Sequence, residues 1–137
     1  MFLPLYPLHL VTVYGLEESD LGDAVRRVAN GLDIQVQPDP EPGRNVFIRS
    51  DQYNFIRAGV PALKIDFGFR PGTPEEALEK AWRANRYHAP SDDLQQPVDL
   101  EAAARYNRLI ATLAETLAGA PARPQWKAES FFRRFAK

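Results

Sequence analysis

The chain has 137 residues, a formal net charge of -1, 45% hydrophobic and 26% charged residues, and no cysteine. That is globular composition, which excludes a disordered chain, and the balanced charge excludes the basic face a nucleic-acid partner requires. Without cysteine there are no disulfides and no thiolate zinc sites, so any metal must be held by histidine and carboxylates.

Residues 1–14 are mostly apolar but contain Pro4 and Pro7, with no basic start and no small-residue cleavage site. The stretch therefore reads as a core segment, not a signal peptide or a membrane span. Free ends are usually polar and exposed, so the expectation is that polypeptide is missing upstream of Met1. Leu10–Tyr14, with Val11, Thr12 and Val13, reads as a strand. Ser19 is expected to cap a helix running to about Asn30, with Leu21, Val25, Val28 and Leu32 on one face and Gly31 in the left-handed position that ends it. Ile34 and Val36 alternate with polar residues as a short strand, and Pro38–Gly43 is a surface loop.

Asn45–Arg49 is a short apolar piece leading into Ser50-Asp51-Gln52, a cap followed by a short helix that Gly59 and Pro61 stop. Ala62–Phe67 is the clearest strand, with Leu63, Ile65 and Phe67 on one face and Lys64 and Asp66 on the other. Thr73-Pro74-Glu75-Glu76 has the form of a capping box with proline at the first helical position, opening a helix to about Ala84. Tyr87–Asp93 is a loop. Asp99 is expected to cap a long final helix with Leu100, Ala103, Ile110, Leu113 and Leu117 on its buried side, ended by Gly119 and Pro121. The tail carries Trp126, Phe131, Phe132 and Phe135 among basic residues. Its period is poor for an amphipathic helix, so docking on the domain is expected over contact with a membrane. Alternating strands and helices make the chain α/β, and its few strands point to a sheet completed by other polypeptide.

Histidine is scarce. His9, in a strand-like run, reads as a core or edge histidine satisfied by a backbone group. His88 lies in a loop after a helix, beside Tyr87, with Pro90 fixing the backbone and Asp92 and Asp93 close by. Metal-bound histidine usually donates its second ring nitrogen to a carboxylate or carbonyl, and on these local features a functional and a structural His88 are equally open. Phe67, Gly68 and Phe69 read as core more than as an apolar pocket. A serine hydrolase using a serine with His88 is disfavoured, because there is no Gly-x-Ser-x-Gly turn and Arg49 precedes Ser50.

Tyr87-His88-Ala89-Pro90-Ser91-Asp92 resembles the motif around the last zinc ligand of the di-zinc aminopeptidase family, metallopeptidase family twenty-eight, where the pattern is usually Tyr-His-Thr-Pro, a polar residue and Asp. Ser50–Phe55, followed by Ala58-Gly59-Val60-Pro61-Ala62-Leu63, is similar to the family's Ser-Asp-His segment and its Ala-Gly-(Ile/Val)-Pro-Ala strand entry. The two motifs stand in the family's order with a strand and a helix between them, and the resemblance covers nearly the whole chain. It implies a zinc-exopeptidase-like fold, a partial three-layer sandwich forming the C-terminal part of a mixed sheet flanked by helices. Residues 1–120 would be the C-terminal half of a catalytic domain, and 121–137 a tail packed on it.

The resemblance also implies an exopeptidase that hydrolyses peptides with water activated by two zinc ions, which are held by five ligand side chains and served by a glutamate base. His88 matches the last ligand. No carboxylate of the chain matches another ligand or the base, and the fourth ligand, an aspartate, is expected immediately upstream of Met1. Ser50, Asp51 and Tyr87 would line the substrate cleft, each with an equally open reading as a helix cap or core residue. Gln52 stands where the family commonly has histidine. The expectation is therefore one zinc ligand, a peptide substrate, a missing N-terminal half, and no peptidase competence in this chain alone. The second reading is a non-catalytic receptor-like or interaction domain of the same fold.

Overall fold

A computed structural model describes residues 4–136. The core-like start at Met1-Phe2-Leu3, and the inference drawn from it about an upstream aspartate, lie outside the described residues. Three strands form one mixed sheet. β1 (Leu10–Tyr14) is central, β2 (Gln35–Pro38) is parallel to it on one side, and β3 (Lys64–Phe67) is antiparallel on the other. A parallel pair cannot be joined by a tight turn and needs a crossover. Helix α1 (Leu21–Gly31) supplies it. The fold is α/β, with α2 (Gln52–Arg57), α3 (Pro74–Asn85) and α4 (Leu100–Ala118) following. No described helix is long and apolar enough to cross a membrane.

Strand alternation gives the sheet two unlike faces. Val11 and Val13 pair with Phe67 and Ile65, and these four side chains join Val25 and Ala29 of α1 and Ala102, Leu109 and Leu113 of α4 in one buried core. Thr12 and Tyr14 pair with Asp66 and Lys64, so polar groups line the opposite face. The apolar face accounts for the fold's stability, since burying each such side chain contributes roughly 1.5–3 kcal/mol.

Several local expectations give way to tertiary contacts. Ser19 does not cap α1. It is buried in an antiparallel bridge with Trp126, and Asp20 takes the cap position while its side chain accepts from Gln125 N instead of capping the helix. Gly31 stays helical, and Asp33 takes the left-handed conformation at φ 54 instead. The amides of Leu32, Asp33 and Ile34 all return to Ala29 and Asn30, which winds the chain two residues further, and aspartate tolerates that backbone. β3 begins at Lys64, two residues later than expected. The capping box at Thr73 is not closed: its Oγ1 donates to Arg70 O at 2.8 Å, while Glu76 Oε2 accepts from Gly72 N at 2.7 Å. His9 is exposed, and its carbonyl accepts from Gln35 N at 2.8 Å.

Asp99 caps α4 as expected, accepting from Ala102 N at 2.9 Å, and its own amide donates to Pro4 O at 2.7 Å. That second bond ties the start of α4 to the segment before β1. Ala102, Leu109 and Leu113 face inward, with Tyr106 and Leu117 packed beside them, whereas Leu100 and Ile110 are exposed. Close approach requires glycine at both ends of the connection into α1. Gly15 (φ 82) ends β1 where a Cβ would lie 2.4 Å from the Phe47 ring, and a Cβ on Gly22 of α1 would lie 1.8 Å from Leu16 O.

Tyr106 links α4 to the sheet, its hydroxyl donating to Ile65 O at 2.7 Å. Burial, with the nearby Asp66 carboxylate, pushes its phenol up to about 12. Unfolded tyrosine ionises near pH 10. Between about pH 10 and 12 the unfolded chain therefore releases a proton that the folded chain keeps, and stability present below that window is lost as pH rises through it. Urea midpoints between pH 9 and about 11.5 should fall with pH, and Tyr106→Phe should flatten the fall. An equally steep fall in the variant would remove Tyr106 as a cause.

Candidate active-site cavity

A cavity of about 700 Å³ opens on the polar face of the sheet. Tyr14 at the end of β1 and Asp39 just past β2 line it, so it lies at the carboxyl ends of the two parallel strands. Lys64 and Asp66 of β3 contribute part of the lining, Glu79 and Arg83 of α3 another part, and Ser50, Asp51 and Gln52 at the start of α2 a third.

The charges inside it are mostly paired. Lys64 Nζ bonds Asp66 Oδ2 and lies 4.8 Å from the centre of the Tyr14 ring, a cation–π contact. Arg83 pairs with Glu79 at 2.7 Å, and Arg44 at the cavity edge pairs with Glu41 at 2.8 Å. Burial, then the Asp66 and Asp39 carboxylates, pushes the Tyr14 phenol up to about 12, so it is neutral at ordinary pH. Thr12 Oγ1 accepts from Gln37 Nε2 at 2.9 Å. Asp66 Oδ1 is buried and accepts no hydrogen bond among the described residues. A buried acceptor left unpaired is costly.

The residues singled out from the sequence fall as follows. Ser50, Asp51 and Tyr87 all line this cavity. Ser50 Oγ donates to Val46 O at 3.2 Å. Asp51 takes the cap position of α2 but makes no side-chain cap bond, so its carboxylate is not committed to the helix. Gln52 Nε2 donates to Phe47 O at 2.6 Å, tying the helix to the preceding 3-10 turn, Val46–Ile48. Tyr87 packs on the buried Trp82 with ring centres 5.7 Å apart.

His88 is exposed beside the cavity, its ring stacked on Tyr87 at 3.8 Å. Its backbone is left-handed at φ 58, uncommon for a residue other than glycine and a form of strain that clusters at functional sites. The loop is pinned there by Arg86 Nη1, which donates to Ser91 O at 2.6 Å, and by Ala89 N, which donates to Arg86 O at 2.9 Å. Neither nearby aspartate orients the ring: Asp92 Oδ1 accepts from Gln96 Nε2 at 3.0 Å, and Asp93 Oδ1 from Gln95 N at 2.9 Å.

A zinc centre needs three or four convergent ligands. Among the described residues no three of His, Asp and Glu come together in that way. The residues present therefore do not make a zinc centre, and His88 stands as a single imidazole. Sequence reasoning did not single out Tyr14, Lys64, Asp66, Glu79 or Arg83 for the site. The available signal was on β3, where two opposite charges alternate with core residues; a charge on a strand face commonly means solvent, and here that face is a cavity wall.

Ligands of open α/β sheets bind at the carboxyl ends of their strands, and this cavity lies there, so the fold is an α/β domain with a candidate site at the strand ends. The chain belongs to Peptidase family M28, whose model matches residues 1–114, and it is a peptidase-like domain. No curated protein and no solved structure matches it significantly. The family match ends inside α4, so the last turn of that helix and the aromatic tail lie beyond it.

Proposed function

We propose that this chain is the C-terminal part of a zinc-dependent exopeptidase, aminopeptidase-like, in which the cavity holds the peptide and His88 supplies one metal ligand. The observation that carries this reading is the placement of Ser50, Asp51 and Tyr87 around one cavity with His88 stacked against Tyr87 beside it. Zinc, when bound with its full ligand set, supplies Lewis-acid activation of water. This chain's own residues do the binding: the Lys64–Asp66 pair forms the wall at β3, Ser50 and Asp51 form the wall beside α2, and Tyr87 fixes the imidazole by stacking. In the complete zinc-exopeptidase-like sandwich, the three strands would be the C-terminal part of the mixed sheet.

The chain alone is then not a competent peptidase, because one histidine cannot replace three or four convergent ligands. Calorimetric titration with zinc should show only weak binding. A tight site of one or two ions per chain would mean that other ligands converge here, and would overturn this assignment of His88 as a lone contributor.

A further inference from the structure

The aromatic tail lies outside the matched residues, yet it touches the wall that carries Ser50 and Asp51. Its course is fixed at three places. Backbone bonds join it to the loop after β1, Asp20 N donating to Gln125 O at 3.1 Å and Lys127 N to Glu18 O at 3.0 Å. Ser130 Oγ adds a bond to Glu18 Oε2 at 2.6 Å. Trp126 Nε1 donates to Gly59 O at 3.1 Å, just past α2. Gly59 itself is so close to the tail that a Cβ there would lie 2.6 Å from Phe135 O.

The third place is Phe132, whose ring meets Phe47 edge to face with centres 5.2 Å apart. Phe47 is thus held between Phe132 and the bare backbone of Gly15. Its carbonyl receives Gln52 Nε2, and the carbonyl of the preceding Val46 receives Ser50 Oγ. Val46, Ser50 and Gln52 line the cavity. A continuous chain of contacts therefore runs from the tail through Phe47 to the cavity wall.

We propose that the tail is a brace for this wall, with Phe132 and Trp126 as positioning residues that set where Ser50 and Asp51 stand. Loss of the Phe132 ring frees Phe47 to leave Gly15, and the 46–54 segment then opens locally while the core stays closed. No core side chain comes from the tail, so the effect is confined to the wall. That the wall selects peptide side chains rests on the peptidase reading; that the tail positions it does not.

The test is amide hydrogen exchange on the full chain carrying Phe132→Ala, Phe132→Tyr or Trp126→Phe. The reporters are the wall amides of Ile48, Arg49, Tyr53 and Asn54, which are hydrogen-bonded within the segment, and the amides of Val11 and Val13 as core reference. Phe132→Ala should speed the wall amides by about tenfold or more with the reference unchanged, the signature of local opening. Phe132→Tyr, which keeps the ring, should restore wild-type rates. Trp126→Phe, which keeps an aromatic ring but loses the donor to Gly59, should speed the same amides by a smaller factor. Unchanged wall rates overturn the proposal, and so does equal acceleration of wall and reference, which would make Phe132 a general stability residue. If Phe132→Ala does not fold, Phe132→Leu carries the same comparison. Exchange that changes as expected in a protein shown not to be a peptidase would leave the brace standing and remove only its substrate role.

Discussion

Replacing Gly22 by alanine should lower the melting temperature by on the order of 10 °C. The sign runs against propensity, since alanine inside a helix is normally favoured over glycine by roughly 0.5–1 kcal/mol. Sterics decide the matter here: the new methyl would lie 1.8 Å from Leu16 O and 2.9 Å from Leu16 C, both backbone atoms. Relief requires moving either the first turn of α1 or the loop from Gly15 to Ser19. That loop is anchored to the tail through Ser19 and Trp126, and α1 is anchored by Val25 and Ala29 in the core. Forced overpacking costs about 1–3 kcal/mol and occasionally more, and a contact this short against fixed backbone belongs at the top of that range. Gly31→Ala in the same helix is the control, because nothing lies within 4 Å of its Cβ, and it should raise stability by about 0.5 kcal/mol. A Gly22→Ala melt within about 2 °C of wild type would mean that the loop yields freely.

If the complete peptidase is the zinc enzyme proposed above, His88→Ala in its zinc-loaded form should reduce peptide hydrolysis by at least about 100-fold, since disturbing even an outer-shell partner of a metal ligand costs 10–100-fold. Removing zinc with a chelator should have the same effect. The left-handed backbone at His88 complicates alanine, which resists that conformation, whereas asparagine accepts it. His88→Asn therefore separates backbone from ring. Equal loss in both variants assigns the effect to the imidazole; activity retained in His88→Asn assigns it to loop geometry and ends the metal-ligand reading. Undiminished hydrolysis after chelation discards zinc chemistry altogether.

Those elements whose cause is local are legible in the sequence. β1 follows from three successive β-branched residues and matches its expected ends, and the Asp99 cap forms because its side chain accepts from Ala102 N within the first turn of its own helix. The loop after α3 is also legible, because Pro90 and the residues around His88 break the helical pattern there. Features set by distant chain are not. Ser19 is a fine helix cap by type, but its bridge to Trp126, more than a hundred residues away, takes precedence. The inward face of α4 is set by tertiary contacts, among them Asp99 N to Pro4 O and the Tyr106 hydroxyl to Ile65 O, which periodicity cannot reveal when Leu100, Ile110 and Leu109 are all apolar. In the cavity, motif likeness located Ser50, Asp51 and Tyr87, while Lys64 and Asp66 needed the β1–β3 register to place them beside Thr12 and Tyr14.

The sheet is three strands wide, and among the described residues β2 and β3 have no outer neighbour. Exposed strand margins invite pairing between molecules and the growth of fibrils. Both margins carry deterrents: each is only four residues long, β2 ends in Pro38, and β3 alternates its apolar residues with Lys64 and Asp66. A foreign strand laid along β3 would have to accommodate that half-buried ion pair beside its own backbone. The same two charges that furnish the cavity thus also make the β3 margin a poor template for a foreign strand.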